Sequence, residues 1–315
     1  MMTLVKSLSS GKGTVMTGEE FQNKLDASFV YKGLNYGRVH LIHETQDAYS
    51  QEVIQFSGHF ALSDSFKSVF LEAVELMNSY CRPLVKTPLS EYYPQFLPRL
   101  TNAFHTLCGA ECAAIRGYPR PAFTTLRNVF DDVVLVSAAL QKITDLYKIE
   151  GIDPNGQFEP TAVKKSRKDE EFRVRKLMTG KDSGLSADVI SELAQLNDLY
   201  DYEVHGGRLS LTDAMGFMKG TEPLQVMPKF VPKTFAIFMN RFIEVSWALH
   251  RLLPAIQPPE AQMPKDWADR WTLVDESFDF AVRSLSTELG KSVGDAYAEF
   301  IKAKFPFNSG SVFPL

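Results

Sequence analysis

Along most of the chain, apolar side chains recur every three or four positions, the period of a helix that buries one face. Between Leu62 and Cys81 the apolar positions are Leu62, Phe66, Val69, Phe70, Ala73, Val74, Met77, Tyr80 and Cys81. Strict alternation would not generate that set, and Pro83 and Pro88 close it. A second run, about Leu97–Ile115, carries Leu100, Phe104, Leu107, Cys108, Ala114 and Ile115, and Gly117-Tyr-Pro-Arg-Pro121 breaks it. Ala122–Lys148 predicts a third helix. Its Val133-Val-Leu-Val136 taken alone favours a strand, because branched residues suit sheets. Phe123, Leu126, Phe130, Leu140, Ile143 and Tyr147 nevertheless keep helical spacing without an intervening Gly or Pro, and length decides for helix.

Further on, Ser186 is placed to cap a helix beginning at Ala187, with Asp188 in the positive first turn and Leu185 facing Ile190. Ile190, Leu193, Leu196 and Tyr200 are its stripe, and Gly206-Gly207 its left-handed exit. Phe235, Phe238, Phe242, Val245, Leu249 and Leu252 alternate steps of three and four between Pro232 and Pro254. Such a narrow seam suits packing along another helix, and it is the expected surface for a homo-oligomer. After a proline-rich connector, Trp267, Trp271, Val274, Phe278, Leu285 and Leu289 mark a helix stopped by Gly290, and Tyr297, Phe300 and Ile301 a last short one.

The first 43 residues are weakly patterned: Thr17-Gly-Glu-Glu20 reads as a capping box, and Arg38–Ile42 stays unassigned. No βαβ alternation and no fixed-period repeat occurs. The expected fold is therefore all-α, a bundle of seven to nine helices. It has a partly irregular segment at 1–43, a helical core at 44–254, and C-terminal helices at 255–315 packed on the same domain. A length of 315 residues allows one large domain or two ordinary ones. No segment reaches the roughly 18–20 apolar residues that cross a bilayer, and Met1–Glu20 lacks the apolar core of a signal peptide. With an odd three cysteines and no disulfide framework, a reducing cytoplasm is the expected setting, without a membrane partner.

Missing motifs exclude several activities. There is no phosphate-cradling Gly-rich loop, dinucleotide fingerprint or nucleophile elbow, and His43-Glu44 lacks the second histidine of the zinc-protease pattern. Nothing calls for a cofactor. His105, Cys108 and Cys112 share one helix face and are possible Zn²⁺ ligands, but Phe104 and Ile115 beside them favour core packing. Thr161–Lys181 holds eight basic residues (Lys164, Lys165, Arg167, Lys168, Arg173, Arg175, Lys176 and Lys181) against three acidic ones, in a chain of net charge −4. That asymmetry suits phosphate, hence RNA, although a solvated helix laced by Lys/Glu pairs explains the same letters. His205, in Tyr200-Asp-Tyr-Glu-Val-His-Gly-Gly207, is either a last-turn helix cap or a general acid/base tuned by Asp201 or Glu203.

Leu126-Arg-Asn-Val-Phe-Asp131 on one helix and Leu199-Tyr-Asp-Tyr-Glu-Val-His205 at the end of a later one together resemble helical bacterial proteins related to the HEPN superfamily (higher eukaryotes and prokaryotes nucleotide-binding). That superfamily includes abortive-infection and toxin proteins. Arg127 and Asp131 match its Arg-x3-acid step, and Tyr202, His205 and Gly206 its Tyr…His-small ending, within about Arg116–Leu211. The resemblance implies an interaction or regulatory protein. Its alternative is a metal-independent ribonuclease in which His205 is the acid/base, Arg127 holds phosphate and the basic stretch steers RNA. Active ribonucleases of the superfamily carry Arg-x4–6-His, whereas Leu199–Val204 contains no arginine. Arg99 and His105 have the spacing, at a frequency that chance supplies. A metal-binding helical enzyme built on His105, Cys108 and Cys112 is a third reading. One helical turn separates Arg127 from Asp131, so they can pair, and a polar cluster of Arg127, Asp131, Tyr202 and His205 between two helices is the expected site.

Overall fold

The computed structural model describes residues 53–81, 93–144, 160–194, 230–256, 264–284 and 291–305. The chain divides into two compact units, Met1–Thr45 and Gln46–Leu315, and the described residues all lie in the second. The capping box at Thr17, the stretch Arg38–Ile42, and His40 and His43 lie outside them. Among the described residues every regular element is a helix: α1 (Ser57–Cys81), α2 (Tyr93–Ile115), α3 (Pro119–Leu140), α4 (Pro160–Thr179), α5 (Pro232–Ala255), α6 (Lys265–Ser284) and α7 (Lys291–Lys304). A short 3₁₀ turn, Val53–Phe56, leads into α1, another, Lys181–Ser183, follows α4, and residues 187–194 are helical. The fold is an all-α bundle.

In α1 the predicted stripe is the buried face: Phe66, Val69, Phe70, Ala73, Val74 and Met77 are in the core. α2 starts four residues before the expected Leu97 and carries Pro98 inside it. The missing amide there forfeits one bond, to the carbonyl of Pro94 in the first turn, which the helix tolerates. α2 ends where glycine allows. Gly117 sits at φ 79, its amide bonds Ala114 O at 3.0 Å, and the Tyr118 amide bonds Ala113 O at 2.9 Å. This is the double-bonded left-handed cap that satisfies the last carbonyls. Pro119 and Pro121 then occupy the first turn of α3, where an absent N–H has no partner to lose.

α3 is helical through Val133–Val136, all buried, so length outweighed β-propensity as expected. It does not run to Lys148. It ends at Leu140 with the same cap as α2: Lys142 at φ 58 bonds Ala139 O at 3.0 Å, and the Ile143 amide bonds Ala138 O at 2.8 Å. A lysine holding the left-handed position gave no glycine signal to read. Ser137 Oγ and Gln141 Nε2 also donate to Lys304 O, at 2.8 and 2.9 Å, tying the end of α3 to the end of α7.

α5 is the axis. It packs against α1, α2, α3, α6 and α7, and every residue from Phe238 to Pro254 is buried. The seam from Phe235 to Leu252 is thus occupied by the chain's own helices, and the expected dimer through it is corrected: that face has nothing left to offer a second copy. An apolar stripe reveals only the most hydrophobic face of a helix. The other faces of α5 carry Asn240, Arg241, Glu244, His250 and Arg251, buried as well. α2 and α3 form an antiparallel hairpin across the Arg116–Tyr118 turn, α4 leans on α3, and α6 covers α1, α5 and α7.

Candidate functional site

Arg127 and Asp131 lie one turn apart on α3, with Arg127 Nε 3.4 Å from Asp131 Oδ1. The carboxylate does not turn toward a neighbouring acid or histidine among the described residues. Its Oδ2 instead meets Arg175 Nη2, reaching across from α4. Asp131 is therefore clasped by two guanidiniums from two helices, a tie between α3 and α4. Burial pushes its carboxyl up, and this outweighs the opposing pull of Arg175 and Arg127, while Glu171 adds to the upward push. Tyr202, His205 and Gly206, and the last part of the helix that Ser186 begins, lie outside the described residues. The Ser186 cap itself is present: the Val189 amide bonds Ser186 Oγ at 3.3 Å.

The basic stretch falls on α4. Lys164, Lys165, Arg167 and Lys168 lie in this helix, and their side chains are outside the described residues. Of the rest, Arg173 donates from Nε to Glu170 Oε2 at 2.7 Å and from Nη2 to Ile143 O at 2.8 Å. Thr144 Oγ1 donates to the same Glu170 at 2.5 Å. Arg173 and Arg175 thus dock α4 on α3 and its C-terminal turn, and Lys176 is exposed. Nor is α4 a wholly solvated helix, since Val174 and Met178 are fully buried.

His105, Cys108 and Cys112 share a face of α2, but not the core face, which runs through Leu100, Ala103, Phe104, Leu107, Ala110 and Ala114. His105 and Cys112 are exposed, which corrects their expected core packing. Cys108 alone is half-buried against the core. Burial raises its thiol pKa, with Lys67 opposing, so the neutral thiol is favoured over a metal-ligating thiolate. Among the described residues no three His, Cys, Asp or Glu side chains converge as a metal site. Arg99 and His105, the chance Arg-x5-His pair, also part company: Arg99 Nη2 approaches Asp132 Oδ1 on α3 at 3.7 Å, while His105 faces solvent.

The charged groups that matter most to the interior gave no motif. Arg251 donates to both oxygens of Asp275, at 2.9 and 2.8 Å, and to Phe305 O at 3.1 Å, and lies over the Trp247 ring at 5.3 Å. Trp247 Nε1 donates to the same carboxylate at 2.8 Å. Beside this knot His250 stacks on Trp271 with centroids 3.8 Å apart, and burial drives its pKa well below the ordinary histidine value. Arg241 and Glu244 form a second buried pair at 2.6 Å, each 2% exposed. Ser63 and Lys67 both bond Glu111, at 2.9 and 2.5 Å, joining α1 to α2. These are structural locks; none opens onto the cavity described next.

The antiparallel helices α1 and α6 are pinned at one end by Arg270, bidentate to Glu72 at 2.9 and 3.0 Å, and by Trp267 Nε1 on Val69 O at 3.1 Å. Away from that clamp they diverge around a cavity of about 500 Å³ floored by Ile243. Gly58, Ala61 and Ser65 form one wall, and Leu273, Ser277 and Phe280 the other. Leu273 is 61% exposed and Phe280 73%, large apolar side chains in water beside an open groove. Small side chains on α1 leave the space between the walls unfilled. That signal, glycine, alanine and serine at helical spacing opposite exposed leucine and phenylalanine, becomes readable only once α1 and α6 are known to be neighbours. Comparison with family models, with curated proteins and with solved structures gives no match to this chain.

Proposed function

We propose that this chain is a non-enzymatic interaction or regulatory protein built on a helical bundle of HEPN-like type, and that the groove between α1 and α6 is its docking surface. The observation that carries the reading is the groove itself: Leu273 and Phe280 stand exposed beside a cavity of about 500 Å³. A helix lying in a groove of this kind is a common mode of peptide recognition. The Asp131 cluster favours a structural role over a catalytic one, since both of its carboxylate oxygens are already engaged by arginines of the same fold.

The test uses a fluorescent amphipathic peptide with a leucine face and an uncharged glutamine face, titrated into the full chain. Gly58→Trp serves as the blocked variant, because a side chain added at Gly58 meets nothing within 4 Å in the groove wall. Binding to the wild type that is lost in Gly58→Trp supports the reading. No binding to either removes it. Incubation with total RNA tests the rival: cleavage by the wild type that disappears in His205→Ala would replace this proposal with the ribonuclease.

A further inference from the structure

We infer that the groove between α1 and α6 accepts a cationic amphipathic helix from a partner protein. The inference rests on the docking reading above and adds the chemistry of the occupant. Its basis is the charge along the α6 edge of the groove. On α6, Asp269 and Glu276 are exposed on the edge that also carries Leu273 and Phe280, and they have no ion-pair partner among the described residues. On α1, Asp64 is paired with Lys67 Nζ at 3.3 Å and is not among the residues that line the groove.

The cations nearby are already engaged. Lys67 is held by Glu111 as well as Asp64. Arg270 is closed on Glu72. Arg283 meets Asp279, Asp295 and Glu299 at 2.9, 3.4 and 2.9 Å, and Lys302 meets Asp279. Lys265, exposed at the start of α6, stands one turn before Asp269 and about three turns from Glu276. The walls of the groove are mostly apolar, with His59, Ser65, Ser277 and Ser284 among them, and its α6 edge carries Asp269 and Glu276 without an ion-pair partner among the described residues. Leu273 to Ser284 spans about three helical turns. A complementary ligand of that length carries apolar anchors at i, i+3 or i+4 and i+7 and lysine or arginine on its flanks. An α6 edge of one charge sign attracts such a flank and disfavours an acidic helix.

The experiment uses three labelled peptides of about 18 residues, long enough to hold helix. They share one leucine face and differ only in a polar face of Lys, Gln or Glu. Each is titrated into the full chain by fluorescence anisotropy at about 50 mM and about 500 mM salt. The expected result is that the Lys peptide binds roughly fivefold tighter than the Gln peptide at low salt, the effect of about two surface ion pairs. The advantage should shrink to about twofold at high salt, where such pairs are screened. Asp269→Asn with Glu276→Gln, two exposed positions whose substitution spares the core, should remove most of the Lys advantage and leave the Gln peptide unaffected. Gly58→Trp should weaken all three.

Equal binding of the Lys and Gln peptides, with Gly58→Trp still blocking both, overturns the cationic occupant and leaves the docking surface standing. Preference for the Glu peptide does the same. No binding of any peptide removes the docking surface itself. Sedimentation showing a dimer that Gly58→Trp dissociates would put a second copy in the groove and overturn the proposal.

Discussion

Asp275 of α6 is the shared acceptor for Arg251 and Trp247 of α5, and its removal should be among the most damaging single changes in the protein. Asp275→Ala strips Arg251 of two charge-assisted bonds at 2.9 and 2.8 Å and leaves it the Phe305 carbonyl and the Trp247 ring. The same change orphans Trp247 Nε1, whose bond to Asp275 is 2.8 Å. Arg251 is only 6% exposed, so water cannot replace the lost acceptor. Breaking a buried pair in this way costs about 3–5 kcal/mol, and an unsatisfied buried donor about 1–3 kcal/mol. The two penalties overlap because the groups relax together, so about 4 kcal/mol is expected. Arg251→Met should cost about 3 kcal/mol, because Asp275 keeps the Trp247 donor.

The double variant Arg251→Met/Asp275→Leu removes both charges at once. It should cost only about 2 kcal/mol, chiefly the orphaned indole. A cycle of this kind isolates the coupling. The assay is urea unfolding followed by tryptophan fluorescence. All three tryptophans of the chain, Trp247, Trp267 and Trp271, lie buried where α5 and α6 pack, so the signal reports on the region altered. At roughly 2 °C per kcal/mol for a unit of this size, Asp275→Ala should also lower Tm by about 8 °C. Single variants costing under about 1 kcal/mol, or a double variant equal to the sum of the singles, would refute the account of the knot as a coupled buried network.

Other changes test separate parts of the argument. His250, its pKa depressed by burial, stays neutral in the fold while the unfolded chain takes up a proton below about pH 6.5. Its contribution to stability is therefore lost as pH falls from about 6.5 toward the folded pKa, by up to about 1.4 kcal/mol per pH unit, and His250→Asn should flatten the acid limb of a Tm-against-pH curve. Asp131 and Glu244 act in the opposite sense: their raised pKa values make folding relatively more favourable as pH drops through them, so Glu244→Gln should steepen the loss that His250 causes. Gly109, mid-helix in α2 with open space where a Cβ would go, should yield about 0.5–1 kcal/mol of added stability as Gly109→Ala, read from the urea midpoint. Gly294→Ala should do the reverse by more than about 1 kcal/mol, because its Cβ would sit 2.5 Å from Val282 O and prise α7 from α6. Unchanged midpoints in these two variants would contradict the packing described.

Much of the architecture is written in local order. The three-to-four spacing marks α1, α5 and α6, and Gly117 with Pro119 marks the turn between α2 and α3, because those residues act through their own backbone conformation and their own helix face. The Ser186 cap and the Arg127–Asp131 pair are legible for the same reason: each joins residues within one turn. The left-handed Lys142 is not legible, since only the packing of Ile143 and the bonds of the end of α3 force a lysine into a position that glycine prefers. Nor is the burial of α5 on all sides, because a sequence shows a helix's most apolar stripe but not how many neighbours surround it. Asp275 is 24 residues from Arg251, and Ser277 of the groove lies more than two hundred positions from Gly58. Whether a charge is a lock or a surface, and whether a serine lines a groove, depends on which helices lie side by side. That choice is made by the summed burial of the whole bundle rather than by any one segment, and it is tertiary structure alone that decided it.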